Sequence, residues 1–280
     1  MKKIRYLLVL LALLAAFTLQ AQPTAQQAPQ SFSLNLSLRS ARLQQIQSPD
    51  LLAVRRSDQQ NPGSRFAYPV KVDLSWEDGV WSDLPSGGRI WQLSLESPEA
   101  LGLAVFYDEF YLPPGATLHM YRPDRQEVIG AYTSAVNPRN GKFWTGFLRG
   151  DQAILEYFEP AAQRGKGRLH LFRVDYAYQR DNFESALRGA SATELGFGTS
   201  DACHNNVNCP LGDDFQVVKK GICRILLVVE EGTGYCTGNL MNNVRADSRP
   251  YVLSAFHCQD GYTPLYDFWR FDFNYESADA

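Results

Sequence analysis

Between residues 65 and 178 the chain is written in short runs that alternate apolar and polar side chains, and no helical period of useful length breaks them. Six runs carry the pattern: Val70–Trp76, Ile90–Leu95, Leu103–Tyr107, Thr117–Tyr121, Ala153–Phe158 and Leu169–Val174. Successive side chains on a strand point to opposite faces, so alternation of this kind predicts half-buried strands rather than helices. Turn chemistry separates the runs at Pro113-Pro-Gly115, Asn137-Pro138 and Asn140-Gly141. The expected fold of this stretch is an antiparallel, all-β sandwich over residues 65–178.

A sandwich of this kind offers few chemical groups in a working arrangement. Trp76, Trp81, Trp91 and Trp144 have the faces to stack on a sugar, but aromatics at alternate strand positions are expected in the core. Asp108 and Glu109 are adjacent, so on a strand their carboxylates point apart and do not form an acid pair. His119 and His170 lie among apolar strand neighbours and are expected to be structural histidines.

The flanks differ from the centre. Met1-Lys-Lys-Ile-Arg5 followed by the apolar run Tyr6–Phe17 and a small residue at Ala21 has the parts of a secretory signal peptide, residues 1–21. The run is shorter than the ~20 apolar residues that span a bilayer. A secreted product, extracellular or periplasmic and off the membrane after signal cleavage, is therefore expected. Residues 22–64 are rich in Gln, Ala, Ser and Pro and predict a mobile lead-in, with one short strand at Phe32–Leu38. Residues 179–200 are polar, small and Gly-rich and predict a linker, with Arg188-Gly189 as an exposed basic processing site. The net charge of −3, without a basic stripe, argues against nucleic acid as a partner.

All five cysteines (Cys203, Cys209, Cys223, Cys236 and Cys258) follow that linker. In an oxidising compartment such cysteines read as disulfides, and an odd count leaves at least one without a partner in this chain. Three local motifs line up behind the linker. Cys203-His-Asn-Asn-Val-Asn-Cys-Pro210 opens the segment. Ile222–Val229 leads through a turn to Cys236-Thr-Gly-Asn-Leu-Met241, and Ser254-Ala-Phe-His-Cys258 ends the next run. Together they resemble the trypsin-like serine proteases, within them the lysyl endopeptidase group, over about residues 196–280. The upstream sandwich looks like the pro-region of secreted members from the Bacteroidetes.

The resemblance implies a fold and roles. Residues 201–280 would be the start of a chymotrypsin-like domain, an incomplete first β-barrel behind a β-sandwich pro-region. His257 would be the general base, and Cys236–Cys258 the disulfide that clamps it. The physical reason stands apart from the family: a base that swings loses its proton-transfer geometry. The substrates would be peptides or proteins, with lysine preference implied by the group alone; no cofactor and no metal is implied. In the family the partners of Cys203 and Cys209, the orienting Asp and the Ser in a Gly-x-Ser-Gly turn lie further along than the 23 residues after His257. A truncated, inactive precursor is thus expected. Asp267 and Asp272 sit in a run resembling an aromatic strand of the family and are assigned no catalytic role. Cys223 matches no family cysteine.

Two rivals stay open on the residues. His257 can be a structural histidine beside a disulfide. Cys203, His204, Cys209, His257 and Cys258 can be zinc ligands, although Cys-x5-Cys is not the usual zinc spacing. A different function class is also open, a secreted β-sandwich binding or adhesion module with a degenerate protease-like tail.

Overall fold

The computed structural model describes residues 28–34, 41–60, 65–180, 182–183 and 205–276. Its strands up to the Gly-rich stretch are β1 (Arg42–Gln45), β2 (Ala67–Leu74), β3 (Val80–Asp83), β4 (Arg89–Glu96), β5 (Gly102–Tyr111), β6 (Thr117–Tyr121), β7 (Val128–Tyr132), β8 (Phe143–Arg149), β9 (Gln152–Glu159) and β10 (Arg168–Ala177). After it come β11 (Ile222–Val229), β12 (Gly232–Met241), β13 (Tyr251–Ser254) and β14 (Arg270–Phe273). One sheet runs β1-β4-β9-β6-β7, with β3 beside β4; the other runs β14-β11-β12-β2-β10-β5-β8, with β13 beside β12. The fold class is all-β, as the alternation predicts.

Alternation places Trp91, Leu93 and Leu95 of β4 and Leu155 and Tyr157 of β9 in one core, against Leu103, Val105 and Tyr107 of β5 and Leu171 and Val174 of β10. The intervening residues of β5 have a second apolar environment. Ala104 and Phe106 pack with Phe66, Phe147 and Phe183 and with Leu226 and Val228 of β11. Strand β11 is likewise buried on both faces, because Cys223, Ile225 and Leu227 form a third cluster with Cys236, Val252, Cys258 and Trp269. Strands covered on both sides read as continuous apolar runs, which is the physical sense of Ile225-Leu-Leu-Val-Val229. The two halves of the long sheet meet where Thr233 of β12 pairs with Ala67 of β2.

The region upstream of residue 65 departs from expectation. Instead of a mobile lead-in, β1 pairs in parallel with β4, and a helix runs Leu51–Gln60. Asp50 caps that helix, its Oδ1 accepting from the amides of Leu52 and Ala53 at 3.0 and 3.1 Å. The helix buries only Val54, so it lacks the apolar stripe that would reveal it. Within the expected strand at Phe32–Leu38 the described residues form a helical turn, Gln30–Ser33. The turn is held from outside: the buried Glu156 carboxylate accepts from Ser31 N at 3.0 Å and from Gln92 Nε2 and Tyr121 Oη. The expected signal peptide (1–21) and Arg188 lie outside the described residues, as does residue 184–200 of the linker. Among the described residues, no helix is long and apolar enough to cross a membrane.

The sandwich tryptophans are spoken for by packing. Trp76, in a short turn after β2, lies edge-on to Trp91 at 5.2 Å. The Arg89 guanidinium covers Trp81 at 3.7 Å, and Trp144 stacks on Phe106. Asp108 and Glu109 are both exposed. His119 is buried beside Glu156 across the β6–β9 pairing. His170 is pinned between Asp108 (2.5 Å to Nδ1) and Asp73 (2.8 Å to Nε2), tying β2, β10 and β5 together.

Candidate active site

Strands β11 and β12 form a tight hairpin with Val229 opposite Gly232 and Ile225 opposite Cys236. Strand β13 adds to the far edge of β12, with Ser254 opposite Gly238 and Tyr251 opposite Met241. Gly238 sits where the three strands are most crowded. A Cβ there would lie 2.7 Å from Val252 Cγ1 and 2.8 Å from Ile225 Cδ1, which is why glycine stands in Cys236-Thr-Gly-Asn-Leu240.

The chain leaves β13 at Ser254 and makes one 3-10 turn, Phe256–Cys258, that carries His257. The histidine therefore lies one turn beyond the strand rather than at its end. Nor is the strand buried: Tyr251 and Leu253 are 50% and 60% exposed, because β13 is an edge strand whose outer face no described residue covers. The turn is closed by Cys258 N donating to Ala255 O at 3.1 Å. Two ties fix it to β12. Cys258 is disulfide-bonded to Cys236, with Cα atoms 6.0 Å apart, inside the usual span for such a bridge. Ser254 Oγ donates to Thr237 O at 2.8 Å and lies 3.2 Å from Cys258 Sγ. Sequence reasoning missed Ser254; its position four residues before Cys258 is the signal.

The His257 side chain is exposed, and among the described residues no hydrogen bond or ion pair holds its ring. The downstream acids Asp267 and Asp272 are engaged elsewhere. Asp267 pairs with Lys142, the residue before β8, at 2.7 Å, and its pKa is lowered chiefly by that hydrogen bond. Asp272 binds Arg224 at 2.5 Å and Arg270 at 3.0 Å. The arrangement is thus a backbone-clamped imidazole open to solvent, able to exchange a proton with a bound molecule but not yet oriented by a carboxylate.

Among the described residues, neither Cys209 nor Cys223 joins it in a ligand cluster. Cys209 is a half-buried thiol and Cys223 a buried one. Cys223 Sγ donates to Gly238 O at 3.4 Å, and burial pushes its pKa up. Cys203 and His204 lie outside the described residues. With Cys236 and Cys258 joined, neither sulfur is a thiolate free to bind zinc in this state.

Comparison with known proteins follows the same division. The family description "Lysyl endopeptidase N-terminal domain" matches residues 71–171, and "Lysyl endopeptidase, C-terminal domain" matches residues 197–280. A lysyl endopeptidase of Pseudomonas aeruginosa is 26% identical over 208 residues, 70% of this chain and 42% of the relative. The chain thus spans about two fifths of that relative's length. Among solved structures, a Bacillus thuringiensis Cry1Da tryptic core variant matches 39% of this chain and 23% of its own at 11% identity, with a TM-score of 0.19, too low to inform the fold.

Proposed function

Because the chain is a lysyl endopeptidase-related protein, we propose that it carries the general base of a secreted serine endopeptidase precursor. In this reading residues 65–178 form the pro-region sandwich, the segment after Phe183 is the processing site, and the C-terminal strands begin the catalytic domain. His257 takes the proton of a serine hydroxyl as it attacks a peptide carbonyl, then returns it to the leaving amine. Serine and carboxylate come from beyond the residues that surround His257 here. Cleavage after lysine is the substrate preference that the related enzyme's name suggests.

The observation that carries the proposal is the double tie of the His257 turn to β12, through Cys236–Cys258 and through Ser254. An exposed histidine with no binding partner has no structural need of such a clamp, whereas a general base does. The test reads the gene past codon 280 and compares that product with its His257→Ala variant on one lysyl peptide at equal folded concentration. The expected loss in turnover is about 10⁴–10⁶-fold. A loss under about tenfold would make His257 a structural residue.

A further inference from the structure

The sandwich grips the turn of the β11–β12 hairpin by its backbone. Arg173 Nη1 donates to Val229 O at 2.6 Å, Arg65 Nη1 to Glu231 O at 2.9 Å and Phe66 N to Thr233 O at 2.9 Å. Beside these bonds, Leu226, Val228 and Phe268 are buried in one apolar cluster with Phe66, Phe106 and Phe147. Phe268 packs on rings of the sandwich, edge-on to Phe106 at 5.5 Å and tilted against Phe172 at 5.7 Å. At the rim, Lys142 pairs with Asp267, and Arg270 covers Trp144 at 5.3 Å. We propose that the sandwich, once cut from the C-terminal strands, stays bound to them as a separate chain, a permanent subunit that leaves His257 open. The cut rests on the precursor reading above; the affinity of the two pieces does not.

Burial is the first reason. Release would return Leu226, Val228 and Phe268 to water, and keeping apolar surface from water is the main favourable term in association. An interface that continues one core across two pieces marks a permanent complex rather than a transient one. The polar part agrees. The buried Asp175 carboxylate accepts from Arg173 of the sandwich and from Thr233 of the hairpin, so both pieces fill its hydrogen bonds. The grip also falls away from the histidine. It holds β12 at Thr233, whereas the His257 turn is tied further along that strand, to Cys236 and Thr237. The bound sandwich therefore braces the hairpin without covering the ring, which stays exposed.

The test inserts the recognition sequence of a site-specific viral endopeptidase between Ala190 and Ser191 of the 280-residue chain, then cuts there. Size exclusion at falling concentration follows the two fragments. The expected result is one co-eluting species that persists to nanomolar concentration; fragments that part at micromolar concentration would overturn the proposal. Phe268→Ala should weaken association at least about a hundredfold, and Thr233→Val about tenfold. Lys142→Ala, at the exposed rim, should leave it within about threefold. Far-ultraviolet circular dichroism before cutting shows whether each variant is folded. A folded Phe268→Ala protein whose fragments hold as tightly as wild type would count against the interface. Diethyl pyrocarbonate with peptide mapping should modify His257 equally in the cut complex and the uncut chain; strong protection in the cut complex would contradict an open subunit. The two readings fail separately. Fragments that part leave His257 as the general base, and a full-length His257→Ala enzyme that keeps its turnover leaves the retained sandwich standing.

Discussion

Thr233 Oγ1 donates to Asp175 Oδ2 across 2.5 Å, joining the hairpin strand β12 to the sandwich strand β10 where both side chains are fully buried. Arg173 completes the link. Its Nε and Nη2 donate to the two oxygens of the same carboxylate, and its Nη1 donates to Val229 O at 2.6 Å. A buried ion pair is tolerable when its remaining bonding capacity is filled, as here. One charged cluster therefore ties the C-terminal hairpin to the sandwich, beneath the apolar cluster that both share.

Substitution should expose the hierarchy within that cluster. Arg173→Leu leaves the Asp175 charge buried and unpaired and should cost about 3–5 kcal/mol. Thr233→Val removes one neutral donor and should cost about 1–3 kcal/mol. Urea unfolding followed by far-ultraviolet circular dichroism checks the order, and equal losses would contradict it.

Gly238→Ala tests the crowding under the His257 turn. The added methyl meets Val252 Cγ1 and Ile225 Cδ1 at distances that no packed carbon adopts. Overpacking of this kind costs about 1–3 kcal/mol. The expected readout is a lower thermal midpoint together with a slower yield of the Cys236–Cys258 bridge in oxidative refolding, followed by thiol counting.

The bridge itself closes a sequence separation of 22 residues. Chain-entropy reasoning gives such a cross-link about 3 kcal/mol, mainly through the unfolded state. The Cys236→Ala, Cys258→Ala double variant should lose about that much in denaturant unfolding, and amide exchange should rise first in residues 251–258.

His170 makes stability depend on pH. Its pKa is raised, first by the hydrogen bond its ring donates to Asp73 and then by the one it donates to Asp108. A raised folded-state pKa means the contribution is fully present below the unfolded value of about 6.5 and is lost as pH rises through the higher folded value. The groups are substantially exposed, so salt should weaken the effect. Thermal midpoints of wild type and His170→Gln, measured from about pH 5 to about pH 9, should converge toward the alkaline end. Convergence toward the acid end would contradict the assignment.

Legibility in the sequence followed the strength of local patterning. The run Thr117–Tyr121 is a strand with those same bounds, and the other five runs fall on β2, β4, β5, β9 and β10. Strands β3 and β7 escaped notice because their residues are almost all only half-buried, so neither face shows a clear apolar set. The helix Leu51–Gln60 escaped for a related reason, since one buried side chain makes no periodic signal. In the candidate site, the Cys236–Cys258 pairing was reached through the resemblance of its motifs. The engagement of Asp267 by Lys142 was not visible at all, because their contact spans 125 residues.

What the sequence determined by itself was which side of each strand is apolar and where the chain turns. What only the tertiary structure decided was what covers those faces. Apolar character states that Phe106 and Leu226 must leave water, but not that they do so in one shared cluster, beside the Thr233–Ala67 pairing. Likewise the order Ser254-Ala-Phe-His257 does not state where a strand gives way to a turn; the anchoring of Cys258 and Ser254 on β12 sets that point. Local pattern is a property of adjacent residues, whereas burial is settled by partners distant in the chain, and the exposed position of His257 belongs to the second kind.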